Sequence, residues 1–307
     1  DNSWRIMVSA LNDFTILLLI AHFLGDYQLQ WEALAEEKTR KASGMLKHLG
    51  IHFLLLAALF VWGLFQGLGV ALLWPVLIVF GVHVLVDVLK KVINRKPYAQ
   101  SKHGAKVAIY IADQVLHLVA ILLIGQWLFS DVCRAFNLGS FLTREMLNWV
   151  LLLVLIGKPA NVSFKVLFGK YQYKEFEEPR KDSDNDKETE HDATIKLSES
   201  TVGRMAVGVD PSLAPTEKET AADETLENLQ TVAGAGAIIG NMERILSAIF
   251  MATGQWAAIG VIFTAKSIAR FKQMEENKQF AEYYLIGTLY SILYVVVAFF
   301  LLIGFRK

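Results

Sequence analysis

Residues 70–89 read VALLWPVLIVFGVHVLVDVL, twenty positions whose only ionisable side chains are those of His83 and Asp87. At about 1.5 Å per residue, a helix of that length covers about 30 Å, the thickness of a bilayer's hydrocarbon core. The stretch is apolar on every side. It shows neither the one-sided stripe of a soluble helix nor the alternation of a half-buried strand. Strongly apolar runs recur at 54–64 and 115–129. The whole chain is 54% hydrophobic with a mean hydropathy of +0.38, above the range of a soluble domain. The ten-residue alternating segments of a membrane barrel are absent. The reading is an all-α, polytopic transmembrane helical bundle of about six to eight membrane segments.

Crossings are expected over roughly 6–26, 48–69, 71–90, 105–129 and 146–169, followed by an apolar region at 232–265 and a last helix at 281–304. The first stretch contains His22 and Asp26 and has no small-residue cleavage site, so it reads as a membrane helix and not a signal peptide. Four parts follow. Residues 1–130 form a four-helix core rich in His and Asp. Residues 131–170 hold a fifth helix kinked at Lys158-Pro159. Residues 171–227 form an acidic, disordered linker, and residues 228–307 a C-terminal membrane region. Between Lys174 and Asp192 the linker has nine acidic and four basic residues and little that would anchor a core. Its Asp182-Ser183-Asp184-Asn185-Asp186 run resembles the start of a calcium loop. Lys187 stands where that loop needs Gly and Ala193 where it needs Glu, so calcium binding is rejected.

Lys and Arg set the expected orientation. Lys38, Arg40, Lys41 and Lys47 follow the first helix; Lys90, Lys91, Arg95, Lys96, Lys102 and Lys106 follow the third. The 63–70 turn carries no charge. The N-terminus is then outside and the linker cytoplasmic, where it is placed to recruit a cytoplasmic protein. Lys266, Arg270, Lys272 and Lys278 also read as cytoplasmic, which favours a re-entrant pair broken near Gly254 over a single crossing.

Within this frame four pairs share one spacing: His22/Asp26, His48/His52, His83/Asp87 and Asp113/His117. Residues four apart project from one face of a helix, one turn from each other. Of the six His before residue 118, only His103 lacks such a partner. The expected topology puts all four pairs at one depth, in the cytoplasmic half of the membrane. Ionisable groups in apolar helices are costly and mark function. Imidazole and carboxylate without thiolate suit zinc, manganese or iron. Eight candidate ligands exceed one tetrahedral ion and point to one divalent ion or two. In that reading Asp26, Asp87 and Asp113 are the catalytic carboxylates of a hydrolase. Structural hydrogen bonding between helices, or a proton or divalent-cation pathway, are the alternatives.

Cations form a second set. Lys158, Arg244, Lys266 and Arg270 lie in or beside apolar helices and are candidates to hold an anionic head group. Snorkelling and a Glu243 ion pair are the structural alternative. Gly236 and Gly240 fit close helix packing, not a dinucleotide fingerprint. The single Cys133 excludes an intramolecular disulfide framework and a Cys-based zinc site. The formal net charge is zero, so there is no bulk attraction to nucleic acid.

The stretches AHFLGDYQLQ at 21–30, His52, HVLVDVLK at 83–90 and DQVLH at 113–117 resemble a bacterial membrane family catalogued as domain of unknown function 3307. The resemblance covers about 14–125. GNMER at 240–244, Gln255, KSIARF at 266–271 and GTL at 287–289 look like the C-terminal part of its longer members. The resemblance implies a bacterial inner-membrane protein and supplies no activity. A weaker likeness is to membrane-bound metal-dependent hydrolase-like proteins. The resulting expectation is an intramembrane metal site acting on a phosphate- or ester-bearing lipid. Its alternatives are a cation or proton transporter and a non-catalytic interaction module. A homo-oligomer is compatible with all three.

Overall fold

A computed structural model describes residues 11–139, 142–172 and 235–304. The acidic segment expected over 171–227 lies, from 173 onward, outside the described residues. All regular structure among the described residues is helical. It comprises α1 (Asp13–Phe23), α2 (Glu32–Arg40), α3 (Ala42–Phe65), α4 (Leu73–Asn94), α5 (Pro97–Ser101), α6 (His103–Leu123) and α7 (Ser130–Ala135). It continues with α8 (Arg144–Ile156), α9 (Lys158–Phe168), α10 (Ala235–Ala252), α11 (Trp256–Ala269), α12 (Phe271–Glu276) and α13 (Lys278–Phe299). Among the described residues, six stretches are long and apolar enough to cross a membrane: Ala42–Phe65, Gly69–Asn94, His103–Leu128, Arg144–Tyr171, Ala235–Ala252 and Lys278–Gly304. The chain is thus a multi-pass membrane-type helical protein.

Helix α1 is the axis of the bundle and is not one of the six. With the π-turn Leu24–Gln28 that continues it, its described part has eleven plus five residues, against the ~20 a span needs. The expected crossing at 6–26 begins among residues outside the described ones. Instead of facing lipid, α1 is enclosed: Phe14, Thr15, Ile16, Leu18, Leu19, Ile20 and Ala21 are all buried, against α3, α6, α7 and α8. A helix buried on all faces explains why its sequence has no polar side. Its start is well specified. Asn12 Oδ1 accepts from the Thr15 amide and hydroxyl at 2.8 Å each, the geometry of an N-cap. Asn12 Nδ2 donates to the Gly125 carbonyl at 2.6 Å. A Cβ on Gly125 would come within 2.2 Å of Thr15 Oγ1, so this helix crossing requires glycine.

The outer faces carry the surface a bilayer would cover. Leu54, Leu85, Leu289 and Leu293 are exposed. Phe65, Trp74 and Trp127 are exposed at the uncharged end of α3, α4 and α6, and Trp31 and Tyr98 near the cationic end. Two such girdles match the aromatic belts of membrane proteins.

Short α2 is tied down at the cationic end. Leu34 is its buried anchor. Gly44 lets α3 touch it, because a Cβ there would lie 2.3 Å from the Glu37 carbonyl carbon and 2.5 Å from the Lys38 nitrogen. Lys91 Nζ donates to the Lys38 and Lys41 carbonyls, each at 3.0 Å, placing a cation at the negative end of the helix dipole. Glu37 accepts from Lys47 at 2.8 Å and Ser43 at 2.7 Å, and these bonds hold its carboxyl below the ordinary value of 4.5. A depressed carboxylate pKa stabilises at neutral pH, and the contribution fades as pH falls through the folded-state value.

The expected Lys-Pro kink separates α8 from α9 at Gly157, and the break strands carbonyls in the last turn of α8. Arg244 on α10 supplies the replacement donors. Its Nε donates to Ile156 O at 2.5 Å, Nη1 to Ser291 Oγ at 3.1 Å, and Nη2 to Asn161 and Asn241 Oδ1 at 2.6 and 2.7 Å. Helices α10 and α11 meet at Gly254, whose φ is +74°, and a Lys266–Glu243 ion pair of 2.7 Å links the two arms. These four partners, two of them buried, make Arg244 a structural staple. Arg244→Met is therefore expected to lower stability by about 3 kcal/mol. Thermal unfolding in detergent should show it, with exposed Lys272→Met leaving the midpoint unchanged.

Candidate metal centre

Helices α1, α3, α4 and α6 bring all eight His and Asp side chains of the four sequence pairs to one place. Three overlapping sets each offer donor atoms within 4.8 Å of one another: His22, Asp26, His52 and His83; His48, His83 and Asp87; Asp87, Asp113 and His117. His83 and Asp87 are the shared members. Asp26 is the hub. Its Oδ1 lies 3.0 Å from His52 Nε2, 3.4 Å from His48 Nε2 and 3.9 Å from His83 Nε2, and its Oδ2 lies 3.8 Å from His22 Nε2. Asp87 Oδ2 is 3.1 Å from His48 Nε2 and 3.5 Å from His83 Nε2. His48 and His83 approach Nε2 to Nε2 at 3.4 Å.

Regular α-helical spacing accounts for three of the four pairs. The fourth is built differently. Asp26 sits in the π-turn Leu24–Gln28, and such widened turns occur frequently at functional sites. The turn is held at its far end by Lys158 Nζ, which donates to Gln28 O at 3.0 Å, and by Gln28 Nε2, which donates to Val154 O at 3.2 Å. Next to Asp26, Gly25 admits the His52 ring, because a Cβ there would meet its Nε2 at 2.4 Å and Cε1 at 2.5 Å.

Buried polar atoms are nearly always hydrogen-bonded. Here His22 Nε2, His117 Nε2 and Asp113 Oδ1 have no hydrogen-bond partner in the protein. Three such atoms in one cluster, two imidazole nitrogens and a carboxylate oxygen, are donors of the kind that a divalent cation satisfies. His117 is also oriented for this. Its Nδ1 donates to the Asp113 carbonyl at 2.8 Å, which leaves the Nε2 lone pair facing the cluster, the usual arrangement of a ligating His.

Three residues the sequence reading did not select complete the surroundings. Lys38 Nζ lies 3.0 and 2.9 Å from the two Asp87 oxygens. Lys90 Nζ lies 2.6 Å from Asp113 Oδ2. Gln114 Nε2 donates to Asp113 Oδ2 at 2.9 Å and to Asp26 Oδ2 at 3.4 Å. Lys90 follows Asp87 by three residues, a spacing legible in the sequence. Lys38 carries no such signal, because α2 approaches only through tertiary packing. On the opposite side of the cluster lies a cavity of about 20 Å³, lined by His22, His52, His83 and His117 together with Leu18, Leu56, Val79, Val82, Ala120 and Ile121. That is room for about one water or ion.

The four C-terminal cations have other partners. Arg244 and Lys266 are engaged as described above, Lys158 caps the Asp26 turn, and Arg270 Nη1 donates to Gln273 Oε1 at 2.7 Å. His103 lies apart from the cluster, with its Nε2 3.1 Å from Leu167 O.

Residues 14–142 match the family described as Protein of unknown function (DUF3307). The match includes all eight clustered residues and stops short of the C-terminal helices. No curated protein and no solved structure matches the chain. Because Gly25 is the floor under the His52 ring, Gly25→Ala is expected to displace that ring. Metal affinity should fall by about 10- to 100-fold, read by competition with a chromogenic chelator, while the helix content in circular dichroism stays at the wild-type level.

Proposed function

We propose that the protein is an integral-membrane, metal-dependent hydrolase acting on a phosphate- or ester-bearing lipid. The observation that carries this reading is the convergence of eight His and Asp side chains from four helices, with three of their buried polar atoms unpartnered. His22, His48, His52, His83 and His117 would supply neutral ligands. Asp26, Asp87 and Asp113 would supply charge and, in part, orient imidazoles. One or two divalent ions held there would lower the pKa of a bound water and clamp the oxygens of the scissile group. The Asp carboxylates would then steer that water and take up its proton.

In this reading the protein lies in a bacterial inner membrane with the cationic end of the bundle cytoplasmic, as the Lys and Arg distribution favours. Lys158 and Arg270 keep donors for a lipid head group. Arg244 is largely spent on internal carbonyl and amide partners. Transport of a divalent cation or proton would use the same residues. That reading needs an onward path, whereas the wall beyond the cluster is apolar: Leu18, Leu56, Val79, Val82, Ala120 and Ile121.

Elemental mass spectrometry on protein purified without added metal is the direct test. The wild type should carry about one or two zinc, manganese or iron ions per chain. His83→Ala and Asp113→Ala should lose metal while eluting as folded protein in detergent, and His103→Ala should keep it. Unchanged metal in both cluster variants would reject the proposal.

A further inference from the structure

The two lysines at the cluster are a feature the metal reading does not by itself use. Lys38 reaches Asp87 from α2, and Lys90 reaches Asp113 from α4. Each ammonium sits on a carboxylate that also belongs to the His/Asp cluster. Asp113 Oδ2 takes Lys90 and Gln114, whereas Asp113 Oδ1 has no partner. Lys38 Nζ lies 3.0 and 2.9 Å from the two Asp87 oxygens, and Oδ2 is also 3.1 Å from His48 Nε2. Lys91, the neighbouring cation, is not available in the same way, because its ammonium caps the carbonyls at the end of α2.

Charge then decides what the centre would accept. Three aspartates bring three negative charges and the two lysines two positive ones. One divalent ion leaves the centre with one net positive charge, and two leave it with three. Uncompensated charge inside an apolar bundle is expensive. A neutral ester brings nothing to offset it, and a second cation makes it worse. A phosphate-type group brings roughly two negative charges and several strong acceptor oxygens. An ammonium is an ordinary partner for such oxygens.

The side of access agrees. The far side of the cluster is lined by apolar residues. Exposure rises the other way: the Asp87 side chain is 1% accessible, that of Lys38 13% and that of Lys90 30%. An anion approaching from the cationic end meets the two lysines first.

We infer that Lys38 and Lys90 are the anion subsite of the metal centre and take a phosphate-type group from the cationic end of the bundle. This rests on the metal reading above. The ligand chemistry is that of a phosphate monoester or inorganic phosphate, whether from a lipid head group or from solution.

The test uses the full chain in detergent, loaded with zinc or manganese, its metal content measured in every sample. Inorganic phosphate binding is followed by isothermal titration. A second arm uses nanodiscs of neutral lipid with and without phosphatidic acid. Metal-loaded wild type should bind phosphate, and the Lys38→Gln/Lys90→Gln protein should keep its metal yet bind phosphate at least about tenfold more weakly. Lys38→Arg/Lys90→Arg should restore binding. Displacement of phosphate by phosphatidic acid assigns the subsite to a lipid head group, and its absence assigns it to the soluble anion. Equal phosphate affinity in wild type and the Gln double variant overturns the inference, as does a metal-loaded wild type that binds neither probe. A wild type that takes up no metal overturns the metal reading and this inference with it. If the double variant does not fold, the two single Gln variants decide on the same criterion.

Discussion

Three carboxylates buried inside an apolar bundle constrain everything around them. A bare carboxylate in hydrocarbon is prohibitively costly, so each must have a compensating partner. Asp26 collects imidazoles from three helices, Asp87 a lysine and two imidazoles, and Asp113 a lysine and a glutamine. These contacts link α1, α3, α4 and α6 to one another and recruit α2 through Lys38. Removing any one carboxylate would therefore disturb an assembly as well as a ligand set. That is why variants of the cluster must be judged on fold and metal together.

Close backbone approach makes the assembly possible. Gly25 gives the His52 ring its place, Gly44 lets α2 lie against α3, and Gly125 lets α6 meet Thr15 on α1. In a membrane, where no hydrophobic effect drives helices together, small residues at crossings and polar bonds between helices carry much of the association. Asn12 to Gly125, Asn148 to Leu302 and the Arg244 network are such bonds. The C-terminal helices thereby pack onto α8 and α9 and steady the turn that holds Asp26.

The eight donors were legible before any coordinates because helix geometry alone puts residues four apart on one face. Their convergence follows from alternating crossings that place each pair at the same end. The crossing positions were also close. The helix expected at 71–90 runs from Leu73 to Asn94, and the one expected at 105–129 runs from His103 to Leu128. The first helix differs from the others in its surroundings. Its even apolarity has two possible causes, lipid on all sides or protein on all sides, and hydropathy cannot separate them. Here protein surrounds it.

What the sequence determined on its own was the helical membrane class, the spacing of the His and Asp pairs and the break at Lys158-Pro159. These are local consequences of side-chain polarity, helical period and proline's missing N–H. Tertiary structure alone decided which carboxylate became the hub, that Asp26 rides on a π-turn, and that Lys38 and Lys90 join the cluster. It also turned Arg244 from a candidate head-group ligand into a staple for a broken helix. Each of these depends on contacts between residues far apart in the chain, whose distances no local pattern encodes.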